Sequence, residues 1–329
     1  LGLQSPSVGG WVEVGRTTLG SAGDIIDVTS LPDKRYYMVL YYVKNDDGNA
    51  INCNNRFNSD TGTNYRIRSN SSDGGGEYTP TSQTSLGLTD GSGAPHFIVE
   101  YIANLSNKEK LTISHVIRQR NSGAGNSPSR SEVVGKWVNT SSSISSLSAN
   151  NAGAGSYASG SEVVVLGWDP ADTHTTNFWE ELASVDLSGG AASSIDSGTI
   201  TAKKYLWFQV YVDGSTVNNR MHIRMNGLST GIYADRYNLN GGTDGTDTSS
   251  GSARISDVND LLPKFVNGFI VNNSANEKLG IAHEVSQNTA GAGTAPQRTE
   301  SVFKIANTSA QITSLQLINL SGNWGTGSY

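Results

Sequence analysis

The stretch "KYLWFQVYV" (Lys204 to Val212) reads as a β-strand and as little else. Leu206, Phe208, Val210 and Val212 fall on one side, with Tyr205, Trp207, Gln209 and Tyr211 on the other, the period of two that a pleated strand imposes. Downstream, "EKLGIAHEV" sets Leu279, Ile281, His283 and Val285 against smaller or polar residues. The alternation predicts that this apolar set faces a core. Similar runs recur along the chain. Between them lie "NDDGN" (45–49), "SSDGGGE" (71–77), "NSGAGNSP" (121–128) and "NGGTDGTD" (240–247), turn chemistries in which Gly and Asn accept positive φ. Only "TTNFWEELA" and "DVNDLLPKF" have brief helical character. About eight strands per 165 residues, with no sustained helical period, predict an all-β protein built from antiparallel β-sandwiches, a jelly roll being the preferred winding.

The strands belong to a duplication. "HVIRQRNSGAGNSPSRSEVVGKWVNTSSSISSL" (His115 to Leu147) and "HEVSQNTAGAGTAPQRTESVFKIANTSAQITSL" (His283 to Leu315) share 16 of 33 positions without a gap. "RFNSDTGTNYRIR" (Arg56 to Arg68) matches "RMNGLSTGIYADR" (Arg224 to Arg236), and "ANLSNKEKLTISH" matches "VNNSANEKLGIAH", both at the same offset of 168. "GGWVEVGRTTL" lies on "NFWEELASVDL", pairing Trp11 with Trp179. A constant offset over this much chain means duplication of a whole folding unit. The expected domains are 1–168 and 169–329. The copies end differently: the first continues into "ASGSEVVVLGW", a closing strand, whereas the second stops at "GTGSY". Leu1-Gly2 aligns with Leu166-Gly167, so the expectation is a window from a longer repeat protein, or a missing strand supplied by a neighbour.

Composition narrows the functional classes. The chain has 329 residues, 16% of them charged, with 38 glycines and a net charge of −6. There is no basic footprint for nucleic acid. The longest apolar run, near "YYMVLYYV", is far short of the roughly 18 residues a membrane helix needs, so no membrane insertion is expected. Cys53 is the single cysteine, which precludes an intrachain disulfide and a cysteine-based zinc site and favours assembly inside a cytoplasm.

No catalytic constellation stands out, and no enzyme is expected. His115 and His283 occupy equivalent positions, but each is expected on the apolar register of its strand, as a core or rim histidine. Arg130/Glu132 and Arg298/Glu300 are spaced to pair along a strand face, a contact of small energetic worth. Glu100 with Glu132 would be a glycosidase pair, yet Glu100 is replaced by Gly268 in the second copy. No GxSxG elbow, Walker loop or Cys–His couple is present. The Asp-rich turns Asn45–Asn49 and Asn240–Asp247 are alternative calcium ligands. Plain turns explain them better, so no cofactor and no metal is expected. The sequons at Asn104, Asn139, Asn272 and Asn307 recur in register and need no glycan in so Asn-, Ser- and Thr-rich a chain.

Aromatic residues are the more informative group. In "RYYMVLYYV" both strand faces are apolar, where one face of an antiparallel sheet is ordinarily polar. Either a loop covers the second face, or Tyr36, Met38 and Tyr42, with Tyr205, Trp207 and Tyr211, are candidates for contact with another domain or subunit or with a sugar.

"SEVVVLGWDP", "KEKL" leading into a strand, and "GAG..P.R.E" followed by "K...NTS" together resemble the tandem-repeat β-sandwich structural proteins of environmental viruses, including tailed phages of marine microbes. The resemblance covers most of both copies. It implies a non-enzymatic virion component, such as a tail fibre, spike or capsid-surface decoration, that contacts other structural subunits or host-surface glycans. No coiled-coil or collagen-like shaft accompanies it. A prokaryotic extracellular filament or adhesin subunit at the cell surface is the alternative, and a pair of carbohydrate-binding modules is the third reading. Duplication suits assembly and multivalent contact; an enzyme needs one pocket.

Overall fold

A computed structural model of the chain describes residues 10–72, 76–174 and 176–329. Leu1-Gly2, part of the turn at 71–77 and the first residue of "TTNFWEELA" lie outside these. The described residues contain strands and no helix; "DVNDLLPKF" and residues 176–183 are irregular, except where Lys264 and Phe265 open a strand. Among the described residues no helix is long and apolar enough to cross a membrane.

Two compact units form, each an antiparallel β-sandwich. Residues 1–118 and 131–180 make the first; residues 119–130 and 181–329 make the second. The first repeat contributes β1 (Val12–Thr18), β2 (Ile25–Val28), β3 (Tyr36–Val43), β4 (Asn54–Phe57), β5 (Tyr65–Ser71) and β6 (Leu86–Gly87). Then come β7 (His96–Ala103), β8 (Lys110–Arg118), β9 (Ser129–Trp137), β10 (Leu147–Asn150) and β11 (Glu162–Trp168). Its sheets run β1-β11-β3-β7-β8-β9-β5 and β2-β10-β4-β6. From β3 to β7 successive strands alternate between the sheets, a jelly-roll-like winding. Tyr37, Val39, Tyr41, Val163 and Val165 from the large sheet close on Ile26, Phe57, Leu86 and Leu147 from the small one.

The second repeat contributes β12 (Ser194–Asp196), β13 (Tyr205–Val212), β14 (His222–Met225), β15 (Tyr233–Leu239) and β16 (Gly245–Ser250). β17 (Ala253–Arg254), β18 (Lys264–Val271), β19 (Lys278–Ser286), β20 (Gln297–Ile305) and β21 (Leu315–Ile318) complete it. The sheets are β13-β18-β19-β20-β15-β16 and β12-β21-β14-β17. Four strands of the large sheet and two of the small one repeat those of the first copy at the offset of 168. As expected from "KYLWFQVYV", Leu206, Phe208 and Val212 are buried and Val210 packs on the same core.

The repeated polar residues are the sandwich's fasteners. Asn104 Oδ1 accepts from Ile144 N (2.8 Å) and Asn272 Oδ1 from Ile312 N (2.7 Å), both side chains being buried. Asn139 and Asn307 cap the next turn through Ser141 N and Ser309 N. The buried ammonium of Lys110 donates to the carbonyls of Lys108 and Asn139, and Lys278 to those of Asn276 and Asn307. "KEKL" and "NTS" are thus one device: a lysine tied to the turn that the asparagine caps. Asn58 and Asn226 sit at positive φ, 51° and 54°, and their Oδ1 atoms accept from Ser145 N and Thr313 N. Buried backbone and ammonium donors left without such partners would be costly.

One inferred register is reversed. Leu111 and Ile113 of β8 are exposed, while Lys110, Thr112, Ser114 and Val116 face inward. His115 and His283 therefore lie on the outer face of their sheets. Periodicity identifies two faces but not which of them is inside. Here the inner face carries small residues, Thr112 and Ser114 in β8 and Gly280 and Ala282 in β19.

Candidate assembly and binding surfaces

The candidate residues fall into contrasting environments. Met38 and Tyr42 are buried, and Tyr36 stacks on Trp168 with centroids 5.3 Å apart. In the second unit Tyr205 is buried, Trp207 is partly exposed and stacks on Phe269 at 5.6 Å, and Tyr211 tilts against Tyr329. Trp207 Nε1 donates to Asn267 Oδ1 at 2.6 Å.

The environments differ because the two large sheets end differently. β3 lies between β7 and β11, with β1 beyond β11. Among the described residues β13, its equivalent, has a ladder with β18 and, on its other side, the paired backbone bonds of Tyr211 with Tyr329, 2.8 and 2.9 Å. Tyr329 stands where Glu162 begins β11: Lys44 N donates to Ser161 Oγ, and Asp213 N to Ser328 Oγ, both at 3.0 Å. Leu19 N and Leu187 N donate in the same way to Ser161 O and Ser328 O. Residues 180–186, which align with β1, form no strand. In the first unit β1 forms its ladder with β11.

The charged candidates are also redistributed. Glu132 contacts the His115 ring through Nδ1. Arg130 bonds Asp244 Oδ1 (2.8 Å from Nη2) and Glu300 Oε2 (3.1 Å from Nη1). Arg298 and Glu300 do pair. Glu100 and Glu132 lie on opposite faces of the large sheet and do not converge. Glu100 is wholly buried on the inner face, accepting from Tyr41 Oη (2.6 Å) and Asn55 Nδ2 (2.7 Å). Burial pushes its carboxyl up to about 7. In the Asp-rich turns Asp47 accepts from Asn49, Asp244 is held by Arg130 and Asn238, and Asp247 by Arg254.

Arg130 belongs to a site that motif searching missed. Residues 119–130, "QRNSGAGNSPSR", pack within the second unit. Ser249 N donates to Ala124 O and Arg236 Nε to Pro128 O, each at 2.8 Å. Gly123 N donates to Glu277, and Lys304 Nζ to the carbonyl of Asn121. Gly123 has φ of 82°, a conformation that favours glycine. Because the segment covers them, Lys304 and Glu277 are nearly fully buried. The available signal was the repetition of GAG, Pro and Arg in both copies.

A second missed feature is a basin of about 450 Å³ on the outer side of the small sheet of the second unit, lined by Arg220, His222, Asp247, Ser252, Arg254 and Asn259 among others. Arg254 bonds Asp247 and Asp257, both within 2.7 Å. Burial and the neighbouring arginines push His222 down to about 3, so its ring is neutral, and Ser252 Oγ lies 3.1 Å from Nδ1. The first repeat has Asn54 and Gly87 where His222 and Arg254 stand, so these features are peculiar to the second copy.

No family model matches the chain, and none of the curated proteins does. Among solved structures, domains LG4-5 of the mouse laminin alpha1 chain align over 100% of this chain and 90% of that one, at 10% identity and a TM-score of 0.20. The tandem CBM22-1–CBM22-2 domain of Paenibacillus barcinonensis Xyn10C aligns over 97% and 98%, at 9% identity and a TM-score of 0.13. Likenesses at such scores carry no argument about function.

Proposed function

We propose that this chain is a non-enzymatic structural protein that works by assembly and surface contact, as a virion component of the tail-fibre, spike or capsid-decoration kind. The observation that carries the reading is the duplication itself, the same sandwich built twice with the same internal fasteners. Two like modules in one chain multiply contacts without a new type of contact. Self and other structural subunits are the partners, and the virion surface is the location.

Electron microscopy of the native source with gold-labelled antibody against the chain tests this. Label on heads or tails of virus particles is the expected result. Label along cell-attached fibres would replace it with the extracellular-filament alternative, and label on neither would overturn both. The basin around His222 and Arg254 favours a second reading, contact with a host-surface glycan through hydroxyl-matching Arg, Asn and Ser side chains. Arg254→Ala should then abolish glycan-array binding without changing assembly.

A further inference from the structure

The segment at 119–130 has a twin. Residues 287–298, "QNTAGAGTAPQR", match it at six of twelve positions: Gln287, Gly291, Ala292, Gly293, Pro296 and Arg298. Five of these stand where the packed segment makes its contacts through Gln119, Gly123, Ala124, Pro128 and Arg130. The turn geometry is kept as well, with φ of 85° at Gly291 against 82° at Gly123. Yet residues 289–296 are exposed throughout, and the Arg298 side chain is 53% exposed where that of Arg130 is 3%.

The receiving surface has a twin too. In the second unit the segment is held by Arg236, Asp244, Ser249, Glu277, Glu300 and Lys304. Arg68, Glu109, Glu132 and Lys136 occupy the equivalent places at the offset of 168. Glu77 and Ser82 complete the set at an offset of 167, a register fixed by the pairs Ser69–Tyr78 and Tyr237–Gly245 and by positive φ at Ser82 and Ser249. All six are thus present in the first unit with their chemistry intact, one Asp having become Glu. Four of them are open there: Lys136 and Glu109 pair at 2.7 Å with 38% and 39% of their side chains exposed, and Arg68 and Glu77 are each 58% exposed. Lys304 and Glu277 are at 0% and 6%. Apolar neighbours follow the same division. Leu111, Ile113 and Val134 are exposed whereas Leu279, Ile281 and Val302 are buried; Phe265 and Val285 are exposed whereas Phe97 and Ile117 are buried.

We propose that residues 287–298 of one copy dock on the Arg68–Glu77–Glu109–Lys136 surface of a second copy, joining chains head to tail. This deepens the assembly reading, on which it rests, by naming the partner and the contact. The carbonyls at 287 and 289 meet the Lys136 ammonium, Gly291 N meets Glu109, Pro296 O meets Arg68, and Arg298 enters between Glu77 and Glu132. Because donor and receiver are different patches, the contact is heterologous and propagates into a ring or a fibre rather than stopping at two copies.

The test mixes two single-site variants. Arg298→Glu blocks the donor by placing a carboxylate between two others, and Lys136→Glu blocks the receiver. Both positions are solvent-exposed, and circular dichroism melting checks that each variant is folded. In sedimentation velocity the wild type should show mass growing with concentration through multiples of one chain. Each variant alone should remain monomeric, and their equimolar mixture should form a dimer and stop, since one working donor and one working receiver remain. Wild type that assembles while both variants assemble equally well would overturn this contact and leave the assembly reading standing. A wild type that stays monomeric at every concentration would overturn both.

Discussion

Asn272 shows how much a single side chain holds. Its Nδ2 donates to the carbonyls of Lys203 and Ile312 and its Oδ1 accepts from Ile312 N, the side chain itself and both bonds to Ile312 being buried. Asn272→Ala orphans those groups and should destabilise the second unit by about 1–3 kcal/mol per unsatisfied group, read by chemical denaturation. Asn307→Ala, which removes only a turn cap, should cost on the order of 1 kcal/mol. Both asparagines are legible as repeated sequons. That one is an internal staple and the other a cap is not legible, because the same triplet serves both. Glu100 is a residue of the opposite kind, a carboxyl held near 7 by burial against an ordinary value of 4.5. Between these values the unfolded chain gives up the proton while the folded chain keeps it. Its contribution therefore falls as pH rises from about 4.5 through 7. Glu100→Gln should gain on the wild type across that window, by an amount on the order of 3 kcal/mol, measured as the difference between their denaturation free energies at each pH. Equal pH profiles would contradict the buried-carboxyl account.

At the scale of elements, the two copies solve one packing problem with different residues. Where the first interior holds Thr112 against Gly135, the second holds Gly280 against Phe303. A Cβ on Gly280 would lie 2.1 Å from the Phe303 ring. Gly280→Ala should cost about 1–3 kcal/mol by overpacking. Phe303→Leu in the same chain should recover part of that loss, so a double-mutant cycle should show non-additivity; simple additivity would contradict the contact. The strands themselves were legible from alternation, "KYLWFQVYV" most of all. The inward face of β8 and β19 was not, because small and polar residues line the interior there while Leu111, Ile113 and Val285 point outward. The brief helical look of "DVNDLLPKF" came from local composition, and pairing of Lys264 and Phe265 in β18 overrides it.

For the whole molecule, the duplication was readable from a constant offset of 168 and the all-β class from the alternation of the strands. The docking segment was not. "NSGAGNSPSR" has the composition of a mobile turn, and only its bonds to Ser249, Arg236, Asp244, Glu277 and Lys304 show it as a fitted piece. That pattern, repeated on Arg68, Glu77, Glu109 and Lys136 with no partner segment on it among the described residues, makes head-to-tail assembly the central claim. The measurement that tests it most directly is disulfide trapping of a chain carrying both Ala292→Cys and Ser82→Cys. The equivalent residues Ala124 and Ser249 share a 2.8 Å backbone hydrogen bond, close enough for a bridge, and the native Cys53 is buried. Mild oxidation should give a ladder of one-chain multiples on a non-reducing gel, collapsing to monomer on reduction, while either cysteine alone gives at most dimers. A double variant that stays monomeric although both introduced thiols react with a small alkylating probe would contradict the account.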